Sequence, residues 1–156
     1  MVDRCRSIEF KFRNIPSLPD LDLRTSEYVY FVESDTPGKL IKIGKTESLR
    51  QRLMLLQGTC PVQLTLIGVI RAPCGTESLF HALLALSRAH GEWFYPSTEV
   101  MELAGQLPKL GTLDHTEIRD LCVSRGCSHL QVTAAFNRRS KRKKRPRMRF
   151  GQLVFK

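Results

Sequence analysis

Nothing in this chain matches a GxxxxGK[ST] or GxGxxG loop. The usual backbone cradle for a nucleotide phosphate or a dinucleotide is therefore missing. No pair of cysteines has CxxC spacing, so a standard zinc knuckle is not expected. No apolar run approaches the roughly 18–20 residues that a membrane helix needs. Arg4, Arg6 and Glu9 interrupt the N-terminus, and no signal-peptide pattern is expected there. The five cysteines (Cys5, Cys60, Cys74, Cys122 and Cys127) are odd in number and scattered. A disulfide framework is thus not expected, and a reducing, cytoplasmic setting is the simpler expectation.

Acid is missing from one place in particular. From Arg138 to Arg149, nine of twelve residues are Lys or Arg and none is acidic. The whole chain carries a formal +10, so the remainder is close to neutral. A near-neutral body with a basic tail points to a polyanionic partner, nucleic acid before an anionic membrane. At 156 residues, 42% hydrophobic and 26% charged, there is room for one ordinary domain with an appendage.

The pattern along the chain gives an α+β class. Residues 1–26 read as an arm: Ile8, Phe10 and Phe12 alternate with polar residues, and Pro16 and Pro19 follow. Tyr28 to Val32 is dense in aromatic and β-branched residues and predicts a strand. A turn cluster from Ser34 to Gly38 leads into a second strand, Leu40 to Gly44. Thr46 or Ser48 can cap a helix, and Ser48 with Gln51 fits a capping box. In that helix Leu49, Leu53 and Leu56 form a core-facing stripe. Leu64 to Ile70 is nearly continuously apolar and predicts a central strand. A helix capped by Thr76 carries Leu79, Phe80, Leu83 and Leu86 on one face and Glu77, His81 and Arg88 on the other, ending at Gly91. Glu92 to Tyr95 reads as an edge strand stopped by Pro96, and Glu99 to Leu107 as a short helix.

A soft boundary near residue 110 separates residues 27–110 from a helical hairpin at 111–136, with helices expected over Thr116–Arg125 and His129–Phe136. Two short helices around a Gly-containing turn are compatible with a helix-turn-helix. The basic tail, 137–156, follows, and Phe150 to Phe155 could return as a strand. The expectation is a small three-stranded antiparallel sheet flanked by helices, then a helical, basic C-terminal segment.

Four side chains on separate elements of the first unit suit phosphate chemistry: Tyr30, Lys42, Arg52 and Glu77. Arg52 falls inside the apolar arc of its helix, so it either meets a partner or extends past the core with its stem covering apolar surface. Glu77, in the first turn, could simply complement the helix dipole. His81 could simply pair with Glu77 one turn away. Cys122, Cys127 and His129, with His115 upstream, could be read as a metal set, but Cys122 lies on an apolar helical face. A Cys/His hydrolase lacks a cysteine in a strand-to-helix elbow.

The run YVYFV, LIKIGKT, LRQRL, LTLIGVI and TESLFHALLALSRAHGEWF resembles the GIY-YIG nuclease superfamily, in the branch called T5orf172 or MUG113-like. The resemblance covers about residues 27–95. It implies that Tyr30 orients or deprotonates the attacking water. Lys42 stands where most members have a second tyrosine. Arg52 would steady the scissile phosphate, and Glu77 would hold one divalent ion, Mg²⁺ or Mn²⁺. His81 matches a histidine common in the branch, and Gly44 closes the second motif. Lys42 is also the candidate cation for lowering the pKa of Tyr30. Candidate nucleic-acid contacts are Lys45, Arg138, Arg139, Lys141, Arg142, Lys143, Lys144, Arg145 and Arg147. Many members carry an asparagine after the glutamate helix, whereas here none occurs between Asn14 and Asn137. The implied function is metal-dependent cleavage of DNA. The alternative is DNA binding on the same fold without turnover, and a third reading is an RNA-binding accessory protein.

Overall fold

The computed structural model describes residues 11–12 and 26–137. Most of the N-terminal arm, the basic residues from Arg138 to Arg149 and the expected strand at Phe150–Phe155 lie outside the described residues.

The strand expected around Tyr28–Val32 is β2 (Ser26–Ser34), and it is buried along most of its length. It pairs antiparallel with β3 (Ile41–Thr46) on one side and β4 (Leu64–Pro73) on the other. The turn between β2 and β3 is tied by Ser34, whose Oγ donates to the Leu40 carbonyl at 3.0 Å. These are the three strands expected from sequence, and they form the middle of a larger sheet.

Among the described residues the sheet has six strands, in the order β1-β4-β2-β3-β6-β5. The two-residue β1 (Lys11–Phe12) runs parallel to β4 at one edge. At the other edge, β6 (Trp93–Phe94) pairs antiparallel with β3, and β5 (Arg88–His90) with β6. The class is α+β as expected, but the three-stranded count is corrected.

The reason lies in the segment read as one long helix. The helix there, α2 (Thr76–Leu83), stops after eight residues. A 3₁₀ turn at Ala85–Ser87 follows, and the chain folds back as the β5–β6 hairpin. Leu86, counted into the apolar face from its spacing, is fully exposed. The Tyr95 N–H donates to the Ser87 carbonyl at 2.8 Å, and the Ser87 and Ser97 hydroxyls meet at 2.7 Å. Pairing along the edge of β3 overrides the local helical period. Arg88 therefore does not stack above His81 on a helix. Its Nη2 donates to the His81 carbonyl at 3.1 Å, and its guanidinium lies over the Phe94 ring.

Helices cover both faces of the sheet. On one face lies α1 (Leu49–Thr59), where Leu53 is buried with Tyr30, Val32, Leu64, Leu66 and Val69, and Leu49 and Leu56 pack at the rim. The expected stripe is the real one. The expected Ser48 capping box is not formed. Thr46 Oγ1 instead accepts from the Ser48 N–H at 3.1 Å.

On the other face lie α2, α3 (Thr98–Leu110), α4 (His115–Ser124) and α5 (His129–Asn137). Phe31, Ile43, Phe80, Leu107, Ile118, Cys122 and Val132 share one core there. The α4 helix starts with a full capping box between Asp114 and Glu117. Both α4 and α5 pack against α2, so the helical hairpin rests on the helix that carries Glu77. Among the described residues, no helix is long and apolar enough to cross a membrane.

Candidate active site

The first half of the site faces α1. Tyr30 is fully buried on the central strand. Gly44 lies directly across from it on β3. A Cβ at position 44 would sit 2.6 Å from Tyr30 Cζ, far inside van der Waals contact, so the phenol can lie over β3 only because residue 44 has no side chain. Arg52, inside the apolar arc of α1, reaches the same phenol: its Nε donates to Tyr30 Oη at 3.2 Å. The partner that its helical position called for is therefore a tyrosine oxygen.

Burial pushes the Tyr30 phenol above its ordinary pKa. The hydrogen bond and charge of Arg52 pull it down, but less, while Glu92 and Glu77 add to the rise. The contact with Tyr30 in turn holds Arg52 firmly protonated. Tyr30 is thus a protonated phenol near neutral pH, an acceptor toward Arg52 with one proton left to donate.

Lys42 was expected to be the cation beside Tyr30. That place belongs to Arg52. The Lys42 Nζ lies 2.5 Å from Glu92 Oε2 and 5.5 Å from the centroid of the Trp93 ring, its cross-strand neighbour. Lys42 holds the Glu92 carboxyl below the usual carboxylate range against the opposing effect of burial, with smaller help from His81 and Arg52.

The second half faces α2. Glu77 lies in the first turn of α2 and is 8% exposed. Its Oε1 is 3.5 Å from His81 Nε2, and its Oε2 is 3.6 Å from Lys45 Nζ. His81 Nε2 also lies 3.1 Å from the Ile43 carbonyl, and its ring packs on Phe94. Lys45 Nζ is equally close, 3.6 Å, to Oε1 of Glu27, which is 3% exposed. Gly75, at φ +109°, turns its N–H onto Glu27 Oε1 at 3.3 Å. Glu77 does more than complement a helix dipole, because two cationic or polar groups converge on its oxygens.

The structure brings Tyr30, Gly44 and Arg52 together, and separately Glu77, His81 and Lys45. The two sets lie on opposite faces of the sheet, and the charges of Glu92 and Glu77 add slightly to the rise of the Tyr30 pKa. Sequence reasoning missed Glu27 and Glu92. Glu27 had a signal: it shares a strand face with Val29 and Phe31, an inward position for a carboxylate. Glu92 had none, because its partner lies fifty residues away. Cys122 and Cys127 belong to the apolar core, and burial raises both thiols, Cys122 to about 12. Thiols held protonated are poor metal ligands and poor nucleophiles.

A family model for the T5orf172 domain matches residues 27–106. The chain belongs to the T5orf172 domain family. The T5orf172 match contains Glu27, Tyr30, Lys42, Gly44, Lys45, Arg52, Glu77, His81 and Glu92, and it ends within α3. Domains of the T5orf172 kind are commonly nuclease-like or DNA-binding. No curated protein and no solved structure matches the chain.

Proposed function

We propose that this T5orf172 protein is a metal-dependent DNA endonuclease with a GIY-YIG-like site. The observation that carries the reading is the contact of Arg52 with the buried phenol of Tyr30, in a chain that also holds Glu77 in the first turn of α2. Arg52 uses Nε on the phenol, which fixes the guanidinium and leaves its Nη groups for a phosphate. A guanidinium fixed in advance stabilises charge at a phosphate without reorganising during the reaction.

In phosphodiester hydrolysis the water oxygen bonds to phosphorus as the bond to the leaving sugar oxygen breaks. The water loses a proton and the leaving oxygen gains one. Tyr30, kept protonated by burial, orients the water or a phosphate oxygen by donating a hydrogen bond. It is not set up to take a proton. Lys42 and Glu92 put an ammonium donor and a carboxylate acceptor side by side, two partners that can hold a water whose proton passes on to bulk solvent, since the carboxyl is too acidic to keep it.

A divalent ion would meet a sparse donor set here. Among the described residues, no three His, Cys, Asp or Glu side chains converge, so they do not build a complete protein cage. Glu77 is a hard oxygen donor, and Mg²⁺ often takes only one or two carboxylates, with water and substrate phosphate completing its shell. The residues fit one ion on Glu77. Mg²⁺ or Mn²⁺ held there would supply positive charge at the phosphate.

DNA as the partner is supported by the basic run from Arg138 and by the family's commonly nuclease-like or DNA-binding character. One observation favours DNA binding without turnover: Lys45 already neutralises Glu77, so the carboxylate need not repel a phosphate even without metal. Incubating supercoiled plasmid with Mg²⁺ or Mn²⁺ separates the two. Nicking that EDTA abolishes supports the nuclease. Salt-sensitive binding with no nicking in either metal gives the binding-only reading.

A further inference from the structure

Lys45 was expected to contact nucleic acid. Its ammonium instead lies between two carboxylates, 3.6 Å from Glu27 Oε1 and 3.6 Å from Glu77 Oε2. The two acids are 3% and 8% exposed, while the Lys45 side chain is one-third exposed. Carboxylates this deeply buried are costly unless a cation or hydrogen-bond donors accompany them. Lys45 supplies charge to both.

The two acids are not held alike. Glu27 Oε1 receives the Gly75 N–H from a left-handed residue at the start of α2, which fixes it in place. Glu77 Oε1 faces His81, and its Oε2 faces the lysine. A divalent cation and an ammonium cannot share Oε2, since like charges at that range repel. A lysine ammonium on a flexible four-carbon stem can move where a buried carboxylate cannot.

Resting on the nuclease reading above, we propose that Lys45 is the resting counter-ion of Glu77. It yields Oε2 when a divalent cation binds and remains on Glu27, which holds the displaced ammonium. Lys45 and Glu27 are positioning residues in this scheme. The scheme makes Glu27, an acid outside the chemistry, a determinant of metal affinity.

The test is Mn²⁺ binding by the full chain without DNA, followed by the electron paramagnetic resonance of free Mn²⁺. The key variant is Lys45→Met with Glu27→Gln. It removes one charge of each sign, keeps the local balance and leaves Glu77 beside His81 as the one acid of the pair. Without a lysine to displace, this double variant should bind Mn²⁺ about three- to tenfold more tightly than wild type, the factor expected when a partly exposed ion pair no longer has to be given up. Glu27→Gln alone should bind about threefold more weakly, because Lys45 then rests on Glu77 only. A double variant that binds no more tightly than wild type overturns the inference, provided that Glu77→Gln loses the site. Glu77→Gln binding Mn²⁺ as wild type does would overturn the nuclease reading itself. Circular dichroism on each variant confirms that the readout is binding by a folded chain.

Discussion

The two faces of the sheet solve opposite problems. On the α1 face, Tyr30 and Arg52 are fixed by packing. The phenol is sealed over Gly44, and the guanidinium is tied to it by one 3.2 Å bond. On the α2 face, Glu27 and Glu77 are each held 3.6 Å from the Lys45 ammonium, and His81 lies 3.5 Å from Glu77. In the proposed nuclease, the first arrangement would take a phosphate as it stands, and the second would exchange a partner before a divalent ion entered. A site built this way separates shape, which the α1 face supplies rigidly, from charge, which the α2 face can rearrange.

Breaking the rigid half should cost the most in stability. Gly44→Ala puts a methyl into the Tyr30 phenol, on a strand paired directly with β2. It should destabilise the protein by about 1–3 kcal/mol and cut plasmid nicking about 100-fold. Urea unfolding and initial nicking rates measure both. An alanine variant as stable as wild type would mean that the phenol does not lie over β3.

Tyr30→Phe is a gentler cut through the same contact. It removes the acceptor of Arg52 Nε and leaves the ring. Nicking should fall about 10- to 100-fold, with a change in stability of no more than about 1.5 kcal/mol. Full activity would release Arg52 from its anchor in the mechanism.

The smallest effects are in pH dependence, and they have opposite signs. Lys42 keeps the Glu92 carboxyl below its ordinary 4.5. That pair's contribution is complete above about pH 4.5 and is lost as the pH falls through the lower folded value. Lys42→Met should flatten this acid limb slightly, because Glu92 is partly exposed. Burial keeps the Tyr30 phenol above its ordinary 10.0. Its contribution is complete below pH 10 and declines as the pH rises toward the folded value. Tyr30→Phe should flatten that alkaline limb. Thermal melts across pH read out both limbs, and unchanged profiles in the variants would remove these groups from the electrostatics.

Sequence reading was reliable where period and packing agree. The aromatic and β-branched residues of Tyr28–Val32, the continuous apolar run at Leu64–Ile70 and the stripe of Leu49, Leu53 and Leu56 all form the elements they suggest. The placement of Arg52 in an apolar arc was the clue to its contact with Tyr30. The reading failed where a distant partner outweighs local pattern. Leu86 continues the helical period, yet the chain leaves the helix so that β6 and β5 can extend the sheet. The roles of Lys42 and Lys45 depend on Glu92 and Glu27, which lie fifty and eighteen residues away, and no local spacing encodes such pairs.

The most direct test of a shared phosphate is to set Arg52→Gln and Glu77→Gln beside wild type in Mg²⁺-dependent nicking of supercoiled plasmid, with DNA affinity measured in parallel. Each substitution, one on each face, should lower the nicking rate at least about 100-fold while the chain still folds and binds DNA. A wild type that nicks in Mg²⁺ and either variant that nicks as fast would show that the two faces do not act on one phosphate.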